Sequence, residues 1–192
     1  DMKWLAAYRE DIRRYTALSG RSAVHQLLTQ QGLWALMQYR MASAVYRSSW
    51  PYFFKRLVLI FLGAWQKLIE VVTGIRLPCS AEIGDGLYID HFSHVILSSD
   101  VVMGCNCLLS QGVTIGVSGR GDQRGSPIIG DRVYFGANAT VAGKICIGND
   151  AVIGANSLVV CDVPEACTVV GVPAQIIVRQ RDESTPSTNG QL

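Results

Sequence analysis

Few residues in this chain can move a proton near neutral pH. His25, His91 and His94 are the only histidines among 192 residues. A general base needs a single imidazole within hydrogen-bond reach of the proton it takes, so one of the three is enough for acid–base chemistry. A zinc enzyme asks for about three protein ligands converging on one ion, and His91 and His94 with a distant His25 do not suggest that set, so no metal is expected. Cys79, Cys105, Cys107, Cys146, Cys161 and Cys167 show no paired C-x-x-C spacing, and no secretory signal precedes them. Neither a zinc site nor a disulfide framework is indicated, and a reducing cytoplasm is the expected location.

A second candidate segment is the run from Val117 to Pro127, Val-Ser-Gly-Arg-Gly-Asp-Gln-Arg-Gly-Ser-Pro, which has no apolar residue to point into a core. It must leave whatever scaffold carries it, and long loops on rigid scaffolds are often functional. Its glycines do not follow the G-x-x-x-x-G-K-[ST] pattern, so it is not a nucleotide-phosphate loop.

The elements that must position these residues fall into two textures. Trp4, Leu5, Tyr8, Ile12 and Tyr15 recur at helical spacing, with Arg9, Glu10, Arg13 and Arg14 on the other faces. Ser22 is placed to cap a second helix, a third covers Trp34 to Tyr46, and after Pro51 a fourth runs from about Tyr52 to Val72. Residues 1–74 therefore read as a helical domain.

After Gly74 a six-residue period takes over. Ile129, Phe135, Val141, Ile147, Ile153 and Val159 are all apolar, and the five residues after the first five are Gly130, Gly136, Ala142, Gly148 and Gly154. Upstream, the same period runs through Leu77, Ile83, Ile89 and Val95, then resumes two residues out of phase at Leu97, Met103, Leu109 and Ile115. One inward side chain and one tight turn per six residues suit one face of a parallel β-helix, three faces making a coil. Residues 75–178 are read as this solenoid, 117–127 as its loop excursion, and 179–192 as a polar, disordered tail. His91, two residues after the inward Ile89, belongs near a solenoid corner.

Composition narrows the function. The 49% hydrophobic content supports a real core, and the net charge of +2 is too small for a nucleic-acid binder. That charge is uneven, with nine Lys and Arg against three acids in residues 1–56 and six against ten in residues 57–178. Leu57 to Trp65 is an unbroken apolar run bounded by Lys55, Arg56 and Lys67. It is far shorter than the roughly 20 residues needed to span a bilayer. It is read as a buried helix in a subunit contact or, alternatively, as an interfacial helix making a peripheral contact with the inner face of the membrane.

The stretch Ile83-Gly84-Asp85-Gly86-Leu87-Tyr88-Ile89-Asp90-His91, then Ser110-Gln111-Gly112-Val113-Thr114-Ile115-Gly116, and the ending Asp162-Val163-Pro164 with Val170-Gly171-Val172-Pro173-Ala174 together resemble the serine acetyltransferases. The resemblance covers about residues 74–178. It implies an α+β chain, with an N-terminal helical domain followed by a left-handed parallel β-helix, assembled as a homotrimer or a dimer of trimers. It implies an O-acetyltransferase with acetyl-CoA as co-substrate, bound between adjacent solenoids by the backbone at Gly116, Val117, Ser118 and Gly119 and beside the small residues Ala137 and Ala155. It also implies that His91 is the general base that activates a hydroxyl of a small-molecule acceptor, L-serine in the family, with Asp90 and Arg124 contacting that acceptor.

Four positions depart from the pattern. The carboxylate that orients the family's histidine is here Arg76, which leaves Glu82 or Asp90 to take over. The acid of the helical domain that meets the acceptor's ammonium group is Arg21, and the histidine after Arg124 is Gly125. The C-terminal peptide that docks into cysteine synthase is replaced by Gly190-Gln191-Leu192, so that partnership is unsupported. A saccharide hydroxyl in exopolysaccharide or capsule synthesis is thus an alternative acceptor, and a non-catalytic trimeric solenoid that only binds a partner is the rival from another class.

Overall fold

The computed structural model describes residues 3–177. Four helices come first: α1 (Lys3–Ser19), α2 (Ala23–Thr29), α3 (Gln31–Arg47) and α4 (Tyr52–Thr73). Ser22 is the N-cap of α2, its side chain accepting from the His25 amide, so the local polar pattern does start a helix there. The fourth helix ends on Gly74 in the left-handed region at φ 68°, its amide donating to the Glu70 carbonyl at 2.8 Å.

Up to residue 159, short strands follow in strict rotation among three faces. The first sheet holds β1 (Ile75–Arg76), β4 (Val95–Leu97), β7 (Thr114–Gly116), β10 (Thr140–Ala142) and β13 (Leu158–Val159). The second holds β2 (Glu82–Ile83), β5 (Val102–Met103), β8 (Ile128–Ile129) and β11 (Cys146–Ile147). The third holds β3 (Tyr88–Ile89), β6 (Leu108–Leu109), β9 (Tyr134–Phe135), β12 (Val152–Ile153) and β14 (Thr168–Gly171), with β15 (Ala174–Ile177) turning back antiparallel on β14. Every other pairing is parallel, and the fold is a left-handed parallel β-helix behind a helical N-terminal region.

Ile83, Ile89, Leu97, Met103, Leu109, Ile115, Ile129, Phe135, Val141, Ile147, Ile153 and Val159 all lie buried inside the prism. Parallel strands leave one edge of each strand to pair with the coil above, so a single inward residue per face suffices to build a continuous core.

Register locates the interruptions of the repeat. Paired residues lie 18 apart for Leu97 with Ile115 and for Val141 with Val159. They lie 20 apart for Ile89 with Leu109, so two extra residues enter between Ile89 and Leu97. The phase slip in the sequence is therefore the corner that carries Asp90 and His91. Eight more enter between Ile115 and Ile129, where Ile115 pairs with Val141 across 26 positions. That excursion is partly ordered by an antiparallel bridge of Ser118 with Gly125 and a 3-10 turn at Gly121–Gln123. The tail expected to be disordered lies outside the described residues.

Candidate functional site

The helical domain grips the segment that leads to His91. Asp11 on α1 and Arg40 on α3 form a buried pair at 2.9 and 3.0 Å. Asp11 also accepts from the amides of Gly86 and Leu87 at 2.8 and 3.0 Å, while Arg40 donates to the carbonyls of Ile83 and Gly84, each at 2.7 Å. Burial pushes the Asp11 carboxyl up, and the Arg40 guanidinium with the two amides pushes back. For Arg40, burial works against the charge but the Asp11 carboxylate more than offsets it, holding the guanidinium firmly protonated. Arg14 adds a bond to the Gly86 carbonyl at 3.0 Å.

One residue further on, Tyr15 brackets a single residue of the solenoid. Its hydroxyl accepts from the Ile89 amide and donates to the Ile89 carbonyl, both at 2.9 Å. Burial raises the Tyr15 hydroxyl far above the usual tyrosine range, so it stays a neutral donor. Gly32, in the first turn of α3, makes this approach feasible, because a Cβ there would collide with the Tyr15 hydroxyl and come within 3.1 Å of Ile89. The Tyr15 ring packs on Tyr88 with centroids 4.4 Å apart.

Beyond Ile89 the chain turns the corner. Tyr88 donates to one Asp90 oxygen at 3.3 Å, and the other Asp90 oxygen stands 3.5 Å from His91 Nε2. Burial first, and then the Asp90 charge and hydrogen bond, raise the Tyr88 hydroxyl. The His91 side chain is 69% exposed and Asp90 41%. The backbone then passes through two left-handed non-glycine residues, Ser93 at φ 97° and His94 at φ 54°, packed under Gly74. Such residues cost strain and persist where surrounding structure over-determines them.

This corner opens into a cleft of about 320 Å³ between the α2–α3 junction and the end of β3. Thr29, Gln30, Gln31 and Gly32 form one wall, and Tyr88, Asp90, His91 and Phe92 the other. Of the three histidines, only His91 lines it. His25 bonds within α2 to Thr29, and His94 is beside the Ser93 hydroxyl. Among the described residues no cluster of three His, Cys, Asp or Glu could hold a metal ion.

The remaining expected site residues occupy two edges of the first sheet. Ala137, between β9 and β10, and Ala155, between β12 and β13, lie on the same corner column as His91. The Asn156 amide donates to the Ala137 carbonyl, and that of Asn138 to Gln111 one coil below. Gly116, Val117, Ser118, Gly119 and Arg124 leave from the opposite edge, after β7. A Cβ on Gly116 would meet nothing within 4 Å, so open space lies beside it. One chain thus keeps Asp90, His91, Ala137 and Ala155 together and holds the loop apart from them.

The departures resolve as well. Arg76 is exposed on β1, opposite Ile96, and Arg21 is exposed in the α1–α2 turn; neither lines the cleft. Glu82 sits on β2 in a different sheet, which leaves Asp90 as the carboxylate beside His91. The sequence pattern assigns no site role to Tyr15, Tyr88 or the Thr29–Gln31 wall. Tyr88, immediately before the Ile89-Asp90-His91 run and one turn of strand from the carboxylate, was the nearest available signal.

Comparison with known proteins places this arrangement in a family. Residues 126–160 match the family model described as bacterial transferase hexapeptide (six repeats). The chain is 36% identical over 163 residues to a serine acetyltransferase of Helicobacter pylori strain J99, covering 85% of this chain and 91% of that protein. The solved structure of the Neisseria gonorrhoeae serine acetyltransferase in complex with serine superposes with a TM-score of 0.80 at 32% identity, across 93% of this chain and 70% of that one. A serine acetyltransferase solved in complex with CoA gives 0.79 at 27% identity, across 92% of this chain and 71% of that one. The chain belongs to the serine acetyltransferase family, and its chemistry is acetyl transfer from acetyl-CoA to a hydroxyl.

Proposed function

We propose that His91 is the general base of this acetyl transfer and that Asp90 orients it. The observation that carries the reading is the Tyr88–Asp90–His91 chain opening into a cleft of about 320 Å³. A hydroxyl is a poor nucleophile at its free pKa. His91 takes the hydroxyl proton as the oxygen attacks the thioester carbonyl, the new C–O bond forms, and the C–S bond breaks. The imidazolium returns its proton to the departing thiolate, so the products are an O-acetyl ester and free CoA thiol. CoA would lie beside Gly116, Val117, Ser118 and Gly119 and along the small Ala137 and Ala155, where the open space at Gly116 fits its approach.

Because the loop and His91 leave opposite edges of one sheet, we assign the complete site to neighbouring subunits of a homotrimer, alone or as a dimer of trimers, with Arg124 supplied across the contact. A cytoplasmic place of action is supported by the use of acetyl-CoA and by the six free cysteines.

L-serine is the acceptor that the family supports. A saccharide hydroxyl is the second reading, favoured by the cleft itself: its helical wall is Thr29, Gln30 and Gln31, neutral side chains suited to hydroxyl groups, and Asp90 is its one carboxylate. The test measures CoA thiol release with serine, homoserine and mono- and oligosaccharides, comparing the parent with His91→Ala. The variant loses at least about 10²-fold in turnover if His91 is the base. Unchanged turnover would overturn that assignment, and serine-dependent or sugar-dependent turnover names the acceptor.

A further inference from the structure

The fourth helix packs the wrong way round for a water-soluble surface. Its inward residues include Leu62 and Thr73, both buried, with Val58, Leu59, Gln66 and Ile69 half-buried around them. On the opposite side Phe53, Leu57, Ile60, Phe61, Leu68 and Val71 are all exposed, Phe53 by 81% and Val71 by 83%. These positions fall on one stripe of a 3.6-residue helix, and with 22 residues the stripe runs about 33 Å. Phe61, Ala64, Trp65 and Leu68 shape a shallow apolar groove of about 540 Å³ along it. Monomeric proteins rarely leave so continuous an apolar surface to water.

The surroundings of the stripe say what covers it. The helix carries Lys55, Arg56 and Lys67 against one acid, Glu70, which already pairs with Lys67 at 2.8 Å. Trp50, Tyr52, Phe53 and Phe54 cluster at its N-terminal end, with Trp50 and Phe54 ring centroids 5.2 Å apart. Aromatic rings with a polar edge favour the level of lipid headgroups, and cations beside an apolar stripe find partners in anionic phosphates. A second copy of α4 laid on the same stripe would bring the same excess of cations to the contact, with no spare carboxylate on the helix to meet them. No helix among the described residues is long and apolar enough to cross a membrane. We propose that the outward face of α4 lies flat on an anionic bilayer, with its apolar stripe at the headgroup boundary and Arg56 on the lipid phosphates.

The test is co-sedimentation of the full chain with vesicles of phosphatidylcholine containing phosphatidylglycerol, and with phosphatidylcholine alone. Binding to the anionic vesicles is expected, at least about tenfold weaker without phosphatidylglycerol or at high salt. Leu57→Glu with Phe61→Glu should abolish it while leaving thiol release from acetyl-CoA unchanged, since both side chains are already exposed and neither belongs to the cleft. Arg56→Glu should weaken it with the stripe intact. Failure to sediment with either vesicle overturns the proposal. So does a parent that shows a larger mass by light scattering than the Leu57→Glu, Phe61→Glu variant, with equal vesicle binding, because a second copy or another protein would then be what the stripe meets.

Discussion

Tyr88 donates a hydrogen bond to one oxygen of Asp90 at 3.3 Å, and the second oxygen stands 3.5 Å from His91 Nε2. A carboxylate shared between a phenol and an imidazole is held in one rotamer, which is what an orienting group needs. Tyr88 is itself fixed by packing on Tyr15, whose hydroxyl is tied to the Ile89 peptide. Tyr88→Phe keeps that packing and deletes one charge-assisted bond. With Asp90 partly exposed, the loss is about 1 kcal/mol, or roughly fivefold in kcat/KM. An unchanged kcat/KM in Tyr88→Phe would mean that Asp90 keeps its place without the Tyr88 bond. Arg76, where the family has a carboxylate, causes no conflict in this arrangement, since it is exposed on β1 and outside the cleft.

The elements around the site divide into a part that patterning reveals and a part that it does not. Each inward residue of the solenoid is forced by geometry local to six residues, so Ile129 through Val159 announce themselves, and the slip between Val95 and Leu97 marks the His91 corner. The grip of helices on strands has no such period. Asp11 and Arg40 are 29 residues apart, and Asp11 reaches Gly86 across 75. Read by amphipathicity alone, Arg14 belongs to a solvated face, yet it bonds the Gly86 carbonyl. Neither acid nor base here has a neighbour in sequence that betrays the pairing. The pair is buried completely on the Asp11 side and 94% on the Arg40 side, by side-chain exposures of 0% and 6%. Asp11→Ala therefore strands a buried guanidinium and two peptide amides, at a cost of about 3 to 5 kcal/mol. Replacing both residues, Asp11→Leu with Arg40→Met, should recover much of the loss, because no charge is then left uncompensated. Urea unfolding of the two variants measures this. A single variant within about 1 kcal/mol of the parent would mean that the backbone of residues 83–87 is held by the β-helix alone.

At the scale of the whole molecule, one chain presents His91, Ala137 and Ala155 on one corner column and sends its loop from the opposite edge of the first sheet. The loop cannot fold back over its own His91 without crossing that sheet, whereas in a threefold ring the loop edge of one prism meets the histidine corner of the next. Each of three sites would then draw His91 from one subunit and Arg124 from its neighbour. This sharing has a consequence that stability or folding defects cannot imitate. His91→Ala and Arg124→Ala subunits should each be inactive as homotrimers, yet a site formed from the histidine of an Arg124→Ala subunit and the arginine of a His91→Ala subunit would be intact. With random equal mixing of the two, about one quarter of sites have that composition, so coexpression should restore about a quarter of parental turnover. Mixing the purified homotrimers without subunit exchange should restore none. If coexpressed subunits form mixed trimers by mass analysis but stay inactive, then His91 and Arg124 serve the same site from the same chain, or Arg124 acts elsewhere, and the trimer holds three self-contained sites.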